Sequence, residues 1–103
     1  MNSAELNQIS MTMIANAGTA KNLIQNSLLE MERTEVDIDQ IKQQLGEANQ
    51  VLIKAHQAQN KAIKNSETLT YSLLFTHAQD TLMNTEESLF LVKHFIEIIQ
   101  SKL

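Results

Sequence analysis

Apolar side chains recur every three or four residues along most of the chain, the spacing that places them on one face of an α-helix. In the first segment, from about Leu6 to Met31, they fall at Ile9, Met13, Ala17, Ala20, Ile24, Leu28 and Met31. Strand-like alternation is absent, and the chain has no proline and only two glycines to interrupt a helix. The pattern predicts an all-α protein whose first helix covers this segment.

The second predicted helix follows the polar stretch 32–35. Asp37, with Gln40 three residues later, resembles a capping box, and Val36 is placed as its hydrophobic staple. The apolar face then runs through Ile38, Ile41, Leu45, Ala48, Leu52, Ala55, Gln59 and Ala62. It fades in the polar segment 64–68, which predicts a helix of roughly 26 residues, about 40 Å long at 1.5 Å per residue.

The third segment, from about Thr70 to Lys102, has two faces with the same spacing. One is the expected packing face: Phe75, Ala78, Leu82, Thr85, Leu89, Val92, Ile96, Ile99 and Leu103. The other is polar in its middle: Leu73, His77, Asp80, Asn84, Glu87, Leu91, His94 and Ile98. Short connections predict an antiparallel up-down-up three-helix bundle, with residues 1–103 as a single domain. Two faces exceed what a three-helix monomer needs, so we expect a homo-oligomer.

Composition and charge exclude several other classes of protein. The chain has no cysteine, hence no disulfide or thiolate metal site, which fits a reducing compartment, and the cytoplasm is expected. No apolar run is long enough to span a membrane, so neither export nor membrane insertion is expected. A net charge of −4, one Tyr and no Trp offer neither a basic surface nor stacking groups for nucleic acid.

The candidate chemistry centres on His77 and Asp80, which are three residues apart and therefore neighbours on a helix surface. Taken alone, this pair indicates no particular activity, because a solvated histidine beside an aspartate is common on helices. The other histidines have structural interpretations. His56 adjoins the apolar face of helix two and is expected to make a structural hydrogen bond, with a place near the site as the alternative. His94 is expected at the surface or an interface. Four methionines are expected in the core: Met11, Met13, Met31 and Met83.

Three strings of residues are shared with a known family. They are the run from Tyr71 to Met83, which contains His77-Ala78-Gln79-Asp80, the Ala-His-x-x-Gln string around His56, and residues 14–20. Together they resemble the lactose/cellobiose family of enzyme IIA components of the bacterial sugar phosphotransferase system (PTS), and the likeness covers nearly the whole chain.

The resemblance implies that His77 is the phosphoryl acceptor of a phosphotransferase component. It implies that Asp80 lies at the axis of a homotrimer, where three copies hold one Mg²⁺ ion. The histidine phosphocarrier protein HPr would be the donor and a cysteine of the cognate IIB component the acceptor, for uptake of a β-linked disaccharide. Many members have a second histidine where this chain has Thr81, a departure that affects local hydrogen bonding rather than the acceptor.

Phosphoryl transfer also makes chemical sense at His77. A neutral imidazole keeps a lone pair on one nitrogen for in-line attack on phosphorus, provided that an acceptor holds the proton on the other nitrogen. The transition state is loose, so positioning and donors toward the phosphoryl oxygens supply most of the catalysis. Gln79, the Thr76 hydroxyl and a neighbouring subunit are all candidate donors.

Two other classes of function compete with the carrier. One is a non-catalytic helical bundle, such as an adaptor or chaperone subunit, which the long apolar faces would suit. The other is a helical metal-binding protein, which would need histidine and carboxylate at ligand spacing, and neither His-Glu-x-x-His nor Glu-x-x-His occurs. The strings around His56 and His77 favour the carrier.

Overall fold

The protein is a bundle of three long helices, described here from a computed structural model that covers residues 1–65 and 72–102. Helix α1 spans Ser3–Met31, α2 spans Ile38–Lys64 and α3 spans Leu73–Lys102. The bundle measures 53 × 18 × 18 Å, so all three helices follow its long axis. The predicted all-α class is confirmed. The predicted helix start at Thr70 and the last residue of the predicted packing face, Leu103, lie outside the described residues.

Contacts between the helices establish their directions. Lys21 of α1 lines one groove with α3 residues in the span 81–88 and the next groove with α3 residues in the span 88–95. Only the second groove also contains later α1 residues, up to Leu28, so α1 and α3 run parallel. On the other flank of α3, His56 of α2 pairs with Glu86 in a groove between α2 and α3. The other α2 residues of this groove precede His56 and its other α3 residues follow Glu86, so these two helices are antiparallel. The bundle is therefore up-down-up, as predicted.

The turn between α1 and α2 is held by two carboxylates. Asp37 caps α2, its side chain accepting the Gln40 N–H at 3.1 Å, as the capping-box pattern predicts. The reciprocal bond differs from the prediction, because the Asp37 N–H donates to Glu30 Oε1 at 3.1 Å rather than to Gln40. Glu30 is buried and also accepts from Arg33 at 3.2 Å. A side chain at the end of α1 thus sets where α2 begins.

The buried face of α1 departs from the predicted pattern at three polar residues, Ser10, Ser27 and Glu30, which are buried. Ser27 is fully buried where Leu28 was predicted, and Leu28 is 38% exposed. The Ser27 hydroxyl lies 3.1 Å from both the Leu23 carbonyl and Gln44 Oε1, so its polar group is satisfied inside the bundle. A hydroxyl with two partners is tolerated in the core, and Leu28 remains partly exposed on the outside of the bundle.

Methionine burial follows the helix faces and corrects part of the sequence prediction. Met13 is fully buried among the side chains of the core, and Met31 is half-buried against it. Met11 and Met83 are 55% and 63% exposed, so placing them in the core was wrong. Met11 lies two residues from Met13, which puts it about 200° away around the helix.

Helix α3 buries one of its two predicted faces and exposes the other. The packing face is buried as predicted: Phe75, Ala78, Leu82, Thr85, Leu89, Val92 and Ile96. Every member of the second face is exposed: Leu73, His77, Asp80, Asn84, Glu87, Leu91, His94 and Ile98. Within the described ranges, no helix has the length and apolarity needed to cross a membrane.

We predict that Met13→Ala lowers the free energy of unfolding by about 2–5 kcal/mol, because it leaves a cavity in a filled core. The matched control is Met11→Ala, the same substitution on the outer side of α1, which should change this free energy by no more than about 0.5 kcal/mol. Both values come from urea unfolding monitored by circular dichroism at one fixed protein concentration. Equal effects at the two positions would contradict the described orientation of α1.

Candidate functional site

His77 lies in the second turn of α3, and Ser72 holds the start of that helix. The Ser72 hydroxyl accepts the Phe75 N–H at 3.1 Å, and the Ser72 carbonyl accepts the Thr76 N–H at 3.0 Å. The unpaired N–H groups of a first helical turn give that end a partial positive charge. Negative charge added to His77 would therefore be placed near the favourable end of α3.

The imidazole of His77 is exposed, and it has no hydrogen-bond partner among the residues that the structure describes. Thr81, one turn further along, donates its hydroxyl to the backbone carbonyl of His77 at 2.8 Å. Thr81, the departure noted in the sequence, therefore bonds to the backbone carbonyl of His77 and makes no hydrogen bond to its imidazole. Within residues 1–65 and 72–102, nothing occupies either ring nitrogen of His77.

The two donor candidates of the same subunit, Thr76 and Gln79, differ in their position relative to the His77 imidazole. The Thr76 hydroxyl donates to the Ser72 carbonyl at 3.0 Å, so its proton is engaged within the helix. Gln79 is half-buried and lies two residues from His77, about 200° around α3. Its amide is thus on the opposite side of the helix from the imidazole of the same subunit.

Asp80 is exposed on the same face as His77, one turn away. Its carboxylate makes no ion pair with any described residue. Over residues 1–65 and 72–102, no three histidine or acidic side chains of the chain come together as a set that could hold a metal ion. One subunit therefore offers a single carboxylate here, whereas Mg²⁺ takes six oxygen ligands.

His56 belongs to a different cluster, between α2 and α3. Its Nδ1 lies 3.2 Å from Gln59 Oε1, and its Nε2 meets the carboxylate of Glu86. Glu86 is nine residues from His77, which places it about 180° around α3 and about 13 Å along it. The prediction of a structural hydrogen bond for His56 is confirmed, and the sequence alone did not reveal Glu86 as its partner.

His94 is also remote from His77, about 25 Å further along α3 at 1.5 Å per residue. It is exposed, its Nδ1 lies 2.9 Å from the Phe90 carbonyl oxygen, and its ring lies 4.4 Å from the Phe90 ring, tilted by 45°. His94 is thus exposed in the single subunit, which agrees with both predicted positions, the surface and an interface. The structure brings neither His56 nor His94 to the imidazole of His77.

A polar groove, not predicted from the sequence, begins one turn beyond His77. The groove has a volume of about 240 Å³ and lies between α1 and α3, lined by Lys21, Thr81, Asn84, Thr85 and Ser88. Three of the α3 residues continue the spacing of His77 in steps of four, three and four, a signal that was available in the sequence. Lys21 carries the only positive side chain of α1.

The fold and this site first define a class: a small helical bundle that displays a histidine near the start of its last helix. The model of the family "PTS system, Lactose/Cellobiose specific IIA subunit" matches residues 8–100. The chain belongs to this family. It is 32% identical over 101 residues to the PTS system lactose-specific EIIA component of Staphylococcus epidermidis, covering 95% of each chain.

A solved structure shows the same fold. The crystal structure of PtcA from S. mutans superposes with a TM-score of 0.89 at 30% sequence identity, over 97% of this chain and 99% of that one. The family membership confirms the resemblance seen in the sequence. It supports a phosphoryl-carrier role in sugar transport, as a phosphotransferase component.

We predict that His56 and Glu86 stabilise the bundle as a pair. Their side chains are 45% and 35% exposed, so solvent screens the interaction, and we expect a coupling free energy of about 0.2–1 kcal/mol. The measurement is a double-mutant cycle of His56→Ala and Glu86→Ala in urea unfolding. A cycle of His56→Ala with Glu97→Ala, an exposed residue of the last part of α3, is the control; a coupling no larger than the control's would contradict the pair.

Proposed function

We propose that this protein accepts a phosphoryl group on His77 from the histidine phosphocarrier protein and transfers it to a cysteine of a IIB component, for uptake of a β-linked disaccharide. The observation that carries the proposal is the exposed imidazole, without a hydrogen-bond partner in the described part of the chain, at the position where the family's His-Ala-Gln-Asp string falls. Both partners are proteins, so the acceptor needs an open surface rather than a closed pocket. The reaction is proposed for the cytoplasm, in keeping with a chain without cysteine.

Two transfers make up the proposed cycle. In the first, a lone pair of the His77 imidazole attacks phosphorus, a P–N bond forms to His77, and the P–N bond to the donor's histidine breaks. In the second, a cysteine thiolate attacks, a P–S bond forms, and the P–N bond to His77 breaks, which restores the free imidazole. The start of α3 lies near the added negative charge in both steps.

The donors to the phosphoryl oxygens are proposed to come partly from another subunit. The Thr76 hydroxyl is engaged with Ser72, and Gln79 lies on the opposite side of α3 from the imidazole of its own chain. In a ring of subunits, that side of one α3 would lie toward the His77 side of the next. A neighbouring Gln79 is therefore the donor that we propose.

The proposed assembly is a homotrimer with Asp80 at its axis. The exposed face of α3 combines His77 and Asp80 with three apolar side chains. Leu73, Leu91 and Ile98 are 45–72% exposed in the single subunit, and a trimer would remove them from water. Three Asp80 carboxylates on an axis would supply three oxygens to one Mg²⁺, with water filling the remaining positions. The ion would offset the mutual repulsion of the three charges.

We predict that His77→Ala abolishes phosphoryl uptake, because it removes the nucleophile. The protein is incubated with phosphoenolpyruvate, enzyme I and the histidine phosphocarrier protein, and an acid-labile phosphate is measured by mass spectrometry. His56→Ala and His94→Ala should retain at least part of the uptake, because both residues are remote from the imidazole of His77. Full labelling of His77→Ala would refute the site, and an unlabelled native protein would favour the non-catalytic adaptor.

We predict that Asp80→Leu leaves the trimer intact or more stable and removes any dependence of its Tm on Mg²⁺. The substitution replaces three like charges by apolar groups that can pack together, whereas chelator should lower the Tm of the native protein. The variant should still accept phosphoryl groups, because His77 is retained. Light scattering and thermal scans with and without chelator give the readouts. Dissociation of the variant would assign Asp80 an essential polar contact, and a native Tm indifferent to chelator would remove the metal.

A further inference from the structure

An open groove runs between α1 and α3 on the His77 side of α3. Its volume is about 520 Å³, and its apolar walls include Leu28, Leu91 and Phe95, which are 38%, 45% and 48% exposed. Lys21 and Ser88 form one end of the groove. Three large apolar side chains around one concave surface are an arrangement typical of an interaction site.

A projecting side chain lies on the other flank of α3 at the same height. Phe90 is 54% exposed, and it lies five residues before Phe95, which places it about 140° around the helix. The ring of His94 packs beside it at 4.4 Å, which limits the orientations that Phe90 can adopt. The helix thus carries a fixed aromatic side chain on one flank and an apolar groove on the other.

The matching heights have a consequence for a ring of identical subunits. In a cyclic assembly each subunit joins one surface to a different surface of the next subunit, and the ring closes only without displacement along the axis. Phe90 lies within the span 88–95 that lines the α3 side of the groove, so it meets this condition. We propose that Phe90 of each subunit inserts into the α1–α3 groove of the next, an inference that rests on the proposed trimer.

Charge supports the same arrangement. Lys21 carries the only positive side chain of α1, and it lies at the Ser88 end of the groove. Glu87 is exposed and lies three residues before Phe90, almost one turn toward that same end. With Phe90 in the groove, Glu87 of one subunit faces Lys21 of its neighbour. Glu86, the other carboxylate of this turn, is already paired with His56.

The apolar part of the inference is tested with Phe90→Ala. Self-association of the native protein and of the variant is measured by analytical ultracentrifugation. The variant loses the inserted ring three times per trimer, so it should associate at least about tenfold more weakly. Met11→Ala is the control, because Met11 is 55% exposed but lies on the outer side of α1, and it should leave association unchanged. Unchanged circular dichroism shows that each variant is folded.

The charged part is tested by reversal. Lys21→Glu and Glu87→Lys should each weaken association, and the double variant should recover most of the loss, because the pair is restored with opposite polarity. The inserted contact would be overturned if the double variant associated no more strongly than the weaker single variant. It would also be overturned if Phe90→Ala associated as strongly as the native protein. A native monomer would overturn it together with the trimer, whereas labelling of His77, measured on the same samples, reports the carrier function separately.

Discussion

Burial of one face of α3 against α1 and α2 determines which of its residues remain available for chemistry. The buried face, from Phe75 to Ile96, supplies apolar side chains to the core over almost the whole helix. Because α1 and α2 cover only this face of α3, the opposite face, which carries His77 and Asp80, is exposed in the single subunit. The site is therefore supported by the core directly beneath it, rather than by a loop.

Hydrogen bonds around the first turn of α3 hold the backbone at His77 in place. Ser72 engages the early N–H groups and the Thr76 hydroxyl, and Thr81 engages the carbonyl of His77 itself. These contacts hold the backbone around His77 while leaving its ring without partners among the described residues. The two proposed transfers, one from a donor protein and one to an acceptor protein, would be favoured by an imidazole that protrudes from a fixed backbone.

The three histidines illustrate how identical side chains receive different roles from their surroundings. His56 is engaged through both ring nitrogens and links α2 to α3, whereas His94 is bonded to its own helix and packs beside Phe90. Only His77 has a ring with no described partner. In the proposed trimer, other copies of the chain would complete the surface around His77.

The sequence by itself determined the all-α class, the three helices, the buried face of α3 and the family, because apolar spacing of three and four residues is a local property of a helix. The cap at Asp37 was likewise readable from neighbouring residues. Only the tertiary structure decided that Glu30 completes this cap, that Ser27 rather than Leu28 is buried, and that Glu86 is the partner of His56. Each of these joins residues that are distant in sequence or chooses between adjacent positions on one helix. Spacing along a single helix carries no information on how far neighbouring helices are rotated about their axes, and that rotation sets these contacts.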